Sequence, residues 1–376
     1  MVTIEKNKGP SLLKGVDWFL LAVVLCLNAL GLIAVNSVSN HLNQPSLFKK
    51  QLIASILGLA CMVLIMMWDY KDFRFLSLPI YIGTLFLLIF VLVAGTGKEE
   101  VGTNGWFILG PVSFQPSELG KVSLTIISAF FFEKIKQNSG NLNYLWLFGS
   151  AGSLIGLVLL QPDFGTSVVY MFMLACMFFV FGIKYRTILI MLGIGIVSLP
   201  FLIFSLFSKM FESFQIDRIL SFLNPEAYAR DAGYQVLMSI RYIGSGNLTG
   251  VEPGAEKAAK NVPEAQTDSI FAVIGEQWGF IGAMIVVILF AVLLLRCLYI
   301  SRYAKDQFGA YIVVGLMAMF LFHFVENVGM NIGMLPVTGI PLPFISYGGT
   351  SMVVNYIAIG IIMSISMRRQ RPMFEV

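Results

Sequence analysis

The sequence predicts an all-α polytopic membrane protein with about ten transmembrane helices. Three observations carry this expectation. Only 12% of the 376 residues are charged and 57% are hydrophobic, whereas a soluble globular chain carries about a quarter charged residues. Apolar runs near the length that spans a bilayer recur throughout, at Trp18 to Val35, Leu76 to Ala94, Tyr144 to Leu160, Thr187 to Phe207 and Phe308 to Phe324. The cationic residues also segregate between alternate connections, as spans of fixed orientation require.

In chain order the spans are expected near 16–36, 50–68, 76–95, 117–135, 144–161, 165–183, 187–207, 269–298, 308–332 and 349–367. The first is a retained span, because Trp18 to Val35 is too long for a signal-peptide core and no small-residue cleavage site follows it. Lys71 and Arg74 separate the second span from the third, and Pro116 opens the fourth. The corner Gln161-Pro162-Asp163-Phe164-Gly165 separates the fifth from the sixth. Between the seventh and eighth lies a long loop, 208–268, expected to be extracellular. A single membrane domain over 1–376 follows, with tails 1–15 and 368–376.

Placing both tails in the cytoplasm puts Lys6, Lys8, Lys14, Lys71, Arg74, Lys134, Lys136, Lys184, Arg186, Arg296, Arg302, Lys305, Arg368, Arg369 and Arg371 inside. The short external loops then keep only Lys49, Lys50 and Lys98. This is the positive-inside arrangement. The four cysteines, Cys26, Cys61, Cys176 and Cys297, fall within apolar runs and read as small core residues, not as disulfides or metal ligands.

The polar residues that do not belong in lipid collect in four segments, all on the external face by this topology. In Gln115-Pro116-Ser117-Glu118-Leu119-Gly120-Lys121 the proline suits a first helical turn. Glu118 there complements the helix N-terminus and stands three residues before Lys121, on the same face. The pair reads as a self-compensated helix start or as a cavity-facing charged pair, and the rarity of such charges in membranes favours the second. In Gln161-Pro162-Asp163-Phe164-Gly165-Thr166-Ser167, Asp163 or Ser167 caps the next helix, and Asp163 equally suits a polar cavity.

In Pro263-Glu264-Ala265-Gln266-Thr267-Asp268, the last aspartate reads as an N-cap or as a functional carboxylate. A cap needs one acid, yet Glu264, Asp268 and Glu276 follow one another, with Glu276 two turns deeper on the same side. A partly desolvated carboxylate at the membrane boundary is suited to take a proton from a hydroxyl. The fourth segment, 327–351, holds Pro336, Pro341 and Pro343 and is expected to dip back into the protein. His323 and Glu326 are expected as a second intramembrane pair, though for His323 alone a satisfied core position is the better reading. With two histidines far apart in sequence, a metal site has little support. In the long loop, Phe211, Phe214, Ile219, Phe222 and Leu223 suggest a segment lying on the bilayer, and Arg218, Arg230 and Arg241 are candidates for an anionic head group or phosphate.

These segments together closely resemble the SEDS family (shape, elongation, division and sporulation proteins). The resemblance covers nearly the whole chain. It rests on Gln115-Pro116-Ser117-Glu118 with Lys121, Gln161 through Thr166, Gly233-Tyr234-Gln235 with Ser239, and Gly244-Ser245-Gly246. Pro263-Glu264 with Thr267-Asp268, and Pro336-Val337-Thr338-Gly339 through Ser346-Tyr347-Gly348-Gly349, complete it. It implies a ten-helix SEDS-type fold and a peptidoglycan glycosyltransferase of the bacterial plasma membrane that polymerises lipid II beside a class B penicillin-binding protein. The family's essential aspartate falls on Asp268, and its paired charges fall on Glu118 and Lys121. Asn331-Ile332-Gly333 with Gly339 through Phe344 looks most like the rod-shape (RodA) branch.

The resemblance also implies substrate contacts at Gln115, Ser117, Asp163, Arg218, Tyr234, Gln235, Ser239, Arg241, Pro263, Glu264, Thr267, Ser346 and Tyr347. It departs from the family pattern at Gly105, Tyr242, Gln266, Ser269 and 251–260. The expected partners are lipid II, the penicillin-binding protein, the elongation or division machinery and membrane lipids, with no nucleic acid. A divalent cation, Mg or Mn, is the only cofactor expected. The rival readings are a lipid-linked precursor flippase, which also uses intramembrane charges and broken helices, and a recruiting scaffold. Against the first, the polar motifs gather at one face and no repeat relates the two halves.

Overall fold

The computed structural model describes residues 15–96, 105–109, 112–137, 140–182, 186, 221–222, 224–228, 232–252, 254–255 and 258–369. The expected seventh span, 187–207, and residues 208–220 after it, Arg218 among them, lie outside these, as do 223, 229–231, 253 and 256–257 of the long loop. The described elements are helices α1 (Trp18–His41), α2 (Pro45–Met67) and α3 (Asp72–Ala94), strands β1 (Phe107–Leu109) and β2 (Val112–Phe114), and helices α4 (Pro116–Gln137), α5 (Asn141–Leu160), α6 (Phe164–Phe181), α7 (Ala232–Ser245), α8 (Ala258–Asn261), α9 (Ile270–Arg302), α10 (Gln307–Asn331) and α11 (Gly349–Met367).

Among the described residues, eight helices are long and apolar enough to cross a membrane. A ninth, α4, has 22 residues but carries Glu118, Lys121, Glu133, Lys134 and Lys136. It tolerates them because it is buried along most of its length rather than turned to lipid. The all-α polytopic expectation therefore holds.

Burial sorts the helices. In the most apolar stretches, 78% of α11 and 67% of α10 are buried, against 28% of α2 and 22% of α3. Thus α10 and α11 are the central posts. Along α3, Phe75, Leu78, Ile82, Phe86, Ile89 and Val93 are exposed at helical spacing, a stripe suited to acyl chains. Small residues let backbones close on one another, as in membrane bundles generally. A side chain at Gly58 on α2 would collide with Tyr356 of α11, and one at Gly31 would collide with the backbone at Phe344 and Ile345.

At one end of the bundle, cations and acids interlock. Asp17 caps α1 through the amide of Leu20 at 3.1 Å and takes Arg296 at 2.9 Å and Arg369 at 3.4 Å. Arg74 bridges Glu133 at 2.8 Å and Asp306 at 3.2 Å, while Arg368 meets Asp69 at 3.4 Å. These basic residues are among those that the charge rule puts together on one side. The four unusual polar segments lie at the opposite end.

Two features at that opposite end were not expected. β1 and β2 form an antiparallel hairpin, with Phe107 opposite Phe114 and Ile108 opposite Ser113. Helix α9 is interrupted at Gly279, whose φ of 62° is the left-handed region that glycine adopts without strain. The segment after α7 fills the break: Asn247 and Leu248 offer their carbonyls to the amides of Phe280 (2.8 Å) and Ile281 (3.1 Å). Those amides have lost their helical acceptors and would otherwise be unpaired in a membrane protein interior.

Candidate active site

The site is built around the tight turn before α9. Glu264 sits at φ 51°, and its carbonyl accepts from the amides of Thr267 (3.0 Å) and Ser269 (3.1 Å). This closes the turn and presents Asp268 at its tip. Ser269, not Asp268, occupies the N-cap position of α9, and its side chain makes no capping hydrogen bond. The capping alternative for Asp268 therefore fails, and its carboxylate is free for other work.

Asp268 is held from behind by α10. The Asn327 carboxamide donates to the Asp268 carbonyl at 2.8 Å and to the Ile340 carbonyl at 2.8 Å. Asn331, one turn on, donates to the same Asp268 carbonyl at 2.9 Å. In front, Gln235 of α7 reaches Asp268 Oδ2 at 3.4 Å and Ser269 Oγ at 2.9 Å. The Thr267 hydroxyl lies 3.2 Å from Asp268 Oδ1 and 3.0 Å from Glu264 Oε2. Gly339, at φ 77°, lies beside Oδ2.

Among the described residues no Lys, Arg or His forms an ion pair with Asp268. Its pKa is pushed up to about 6, first by burial and then by the neighbouring Glu264 charge, against the opposing hydrogen bonds from Gln235 and Thr267. A carboxylate near neutrality with unpaired basicity is the electrostatic profile of a general base.

A second cluster forms at the start of α4. Glu118 and Lys121 pair at 2.7 Å, both buried. The Lys121 ammonium also lies 3.0 Å from His323 Nε2, and His323 Nδ1 lies 3.2 Å from the Pro341 carbonyl. An ammonium can only donate and a carbonyl can only accept, so these partners assign a neutral imidazole protonated at Nδ1. The expected His323–Glu326 pair does not form. Glu326 instead takes the Thr338 hydroxyl at 2.7 Å, because each residue meets a different partner packed on α10.

The third cluster joins the corner before α6 to the hairpin. Asp163 caps α6 through the Thr166 amide at 3.0 Å, while Gln115 donates to its other oxygen at 3.3 Å. It therefore takes the capping role, with its second oxygen held by Gln115. Burial raises its pKa, against the pull of Thr166 and Lys121. The Gln115 amide in turn meets Thr350 Oγ1, which donates to the Ser113 carbonyl.

The segment between α10 and α11 links the first two clusters. Thr338 to Pro341 supply the contacts to Glu326, Asn327, His323 and Asp268 just described. The Tyr347 amide bonds the Gln266 carbonyl at 2.8 Å. Ser346 holds the segment's own shape: its hydroxyl takes the Leu342 amide, and its carbonyl takes Gln51 of α2 at 2.9 Å.

The other expected contact residues surround these clusters with differing exposure. Ser239 is buried one turn from Gln235, whereas Tyr234 and Arg241 are exposed on other faces of α7. Pro263 is exposed. The Ser117 hydroxyl is buried without a partner, while its carbonyl receives Tyr170 at 2.7 Å. Glu276 supports the fold by accepting from the Ala258 amide at 2.7 Å, capping short α8. The sequence reading gave no role to Asn327, Asn331 or Gly339. The four-residue spacing of His323, Asn327 and Asn331, one polar stripe down an apolar helix, was the available signal.

The profile of the cell cycle protein family that unites FtsW, RodA and SpoVE matches residues 17–371. The chain belongs to this family. Similar curated proteins include a probable peptidoglycan glycosyltransferase FtsW of Trichlorobacter lovleyi (32% identical, 96% of each chain) and stage V sporulation protein E of Bacillus subtilis (33%, 93% of this chain and 96% of that one). Peptidoglycan glycosyltransferase RodA of Treponema pallidum is 28% identical over 94% of this chain and 98% of its own. Among solved structures, the rod-shape-determining protein RodA of Thermus thermophilus matches with a TM-score of 0.71 (28% identical, 95% of this chain and 98% of that one). A chain from a peptidoglycan synthase complex matches with a TM-score of 0.77 (29% identical, 93% and 97%). These similarities place the chain among FtsW, RodA and SpoVE proteins without separating the three branches.

Proposed function

We propose that this FtsW/RodA/SpoVE-family chain is a peptidoglycan glycosyltransferase that joins lipid II units into glycan and releases polyprenyl diphosphate, with its site facing outward and both termini cytoplasmic. The observation that carries the reading is Asp268: a buried carboxylate with no cationic partner among the described residues, clamped through its carbonyl and basic near neutral pH. Asp268 takes the proton of the acceptor sugar's 4-hydroxyl as that oxygen attacks the anomeric carbon of the donor. The new glycosidic bond forms as the bond to the diphosphate breaks, inverting the anomeric centre. One base suffices for such a displacement, with no covalent nucleophile and no second catalytic acid.

The departing diphosphate needs cations. Arg241, exposed on α7, and the remaining donor of Lys121, two of whose three are engaged by Glu118 and His323, are assigned to it. A Mg or Mn ion, if bound beside the diphosphate, would add positive charge there. Among the described residues no three His, Cys, Asp or Glu side chains gather to hold one.

A class B penicillin-binding protein is the proposed partner, and cell-wall elongation and shape maintenance the proposed role, with division or sporulation as the alternative settings. Purified chain with that partner should convert lipid II to glycan. Movement of lipid II between vesicle leaflets without any glycan would instead favour the flippase.

A further inference from the structure

The Thr267 hydroxyl stands between two carboxylates, 3.2 Å from Asp268 Oδ1 and 3.0 Å from Glu264 Oε2. A hydroxyl has one proton to donate and lone pairs to accept. Between two ionised carboxylates it can satisfy only one of them. Once either acid holds a proton, the hydroxyl accepts from that acid and donates to the other, and both contacts are hydrogen bonds. The arrangement thus fits one proton held by the pair. Its outer member is exposed and its inner member is not: Glu264 lies open at the surface, while Asp268 is 7% exposed. The Gln266 carboxamide donates to the same Glu264 oxygen at 3.1 Å, fixing the outer carboxylate toward Thr267.

We propose that Thr267 and Glu264 form the route by which the proton collected at Asp268 leaves the site. The proposal rests on Asp268 being the general base. After transfer, the Asp268 O–H bond breaks and its proton passes to Thr267 Oγ1, while the proton already on Thr267 passes to Glu264 Oε2. Thr267 ends as the hydroxyl it began as, Asp268 is ionised for the next cycle, and Glu264 releases the proton to water. A relay is suited to this place because, among the described residues, no titratable group other than Glu264 bonds Asp268 or faces it across Thr267. Gln235 faces it from α7, Asn327 and Asn331 from α10, and Gly339 from the segment between α10 and α11. Among the described residues, Glu264 is the charged neighbour that perturbs it.

The test measures lipid II polymerisation against pH for the full-length chain with its partner, comparing wild type with Thr267→Val, Thr267→Ser, Glu264→Gln and Asp268→Asn. Thr267→Val should lower kcat by about tenfold or more, less than the roughly hundredfold or greater loss of a general base, with KM within about twofold. Thr267→Ser should recover most of the loss. Glu264→Gln removes the negative charge beside Asp268, so the acid limb of its profile should move to lower pH while the plateau falls. Unchanged kcat in Thr267→Val, an equal loss in Thr267→Ser, or an unmoved acid limb in Glu264→Gln would each overturn the relay. Should Thr267→Val fail to assemble with the partner, Thr267→Ser and the exposed Glu264→Gln still decide. Full activity in Asp268→Asn would remove the base itself, whereas an inactive Asp268→Asn beside a fully active Thr267→Val removes only the relay.

Discussion

The Asn327 carboxamide donates a 2.8 Å hydrogen bond to the backbone carbonyl of Asp268, tying the central helix α10 to the turn that carries the acid. Because Asn327 also holds the Ile340 carbonyl and Asn331 shares the Asp268 carbonyl, the turn and the segment between α10 and α11 are fixed relative to one another.

Asn327→Ala leaves two carbonyls without this donor, at about 1–3 kcal/mol for each one left wholly unpaired in the interior. Asn331 still holds one of them, so the expected loss lies toward the lower half of the combined range. Activity should fall by about tenfold or more, since a small misplacement of a reacting group is costly. Thermal unfolding in detergent and initial polymerisation rates check both parts. Asn331→Ala should show a smaller loss on each.

Glu118 and Lys121 are buried together, and removing one partner leaves an uncompensated charge. Lys121→Met alone should destabilise by about 3–5 kcal/mol. The double variant Glu118→Gln/Lys121→Met should recover much of that stability without recovering activity. A double-mutant cycle in thermal stability reads the coupling directly. Additive losses would show that the pair is not energetically joined.

The raised pKa of Asp268 sets two pH dependences of opposite sign. As a base it works when ionised, so the rate should rise with pH through about 6. For stability, the folded pKa lies above the unfolded value. The stabilising contribution is therefore present below the unfolded pKa near 3.8 and is lost as pH rises through about 6. Above pH 7, Asp268→Asn should be more stable than wild type, by about 2–3 kcal/mol at most. Melting temperatures at pH 5 and pH 8 test this, with the advantage of Asp268→Asn expected chiefly at pH 8.

Gly279→Ala puts a side chain at a φ of 62° and against the segment that fills the α9 break. The strain alone costs about 1–2 kcal/mol, and the collision adds to it. Hydrogen exchange should show faster exchange at Phe280 and Ile281, which bond Asn247 and Leu248.

Much of this arrangement was legible in the sequence where a property is local. The expected span 117–135 became Pro116–Gln137, and 349–367 became Gly349–Met367, because long apolar runs and a first-turn proline leave little freedom. Asp268 and Glu264 stand out because acids beside an apolar run are rare, whereas Thr267 is marked by the family resemblance. What was not legible is what depends on convergence between distant segments. Lys121 and His323 are 202 residues apart and meet only because α4 packs on α10. Asn327 reaches Asp268 across 59 residues. The hairpin was missed although Gly110-Pro111 between two short apolar stretches is a turn signal. The break in α9 was missed because one glycine in an apolar helix does not announce the loop that replaces its hydrogen bonds.

The most direct test of the account compares wild type and Asp268→Asn, each bound to its penicillin-binding partner, in polymerising purified lipid II at pH 7.5. The account predicts glycan chains from wild type and at least a hundredfold lower rate from a variant that is folded, partner-bound and no less stable. Equal rates from the two proteins would contradict it, since Asp268 would then take no part in the chemistry.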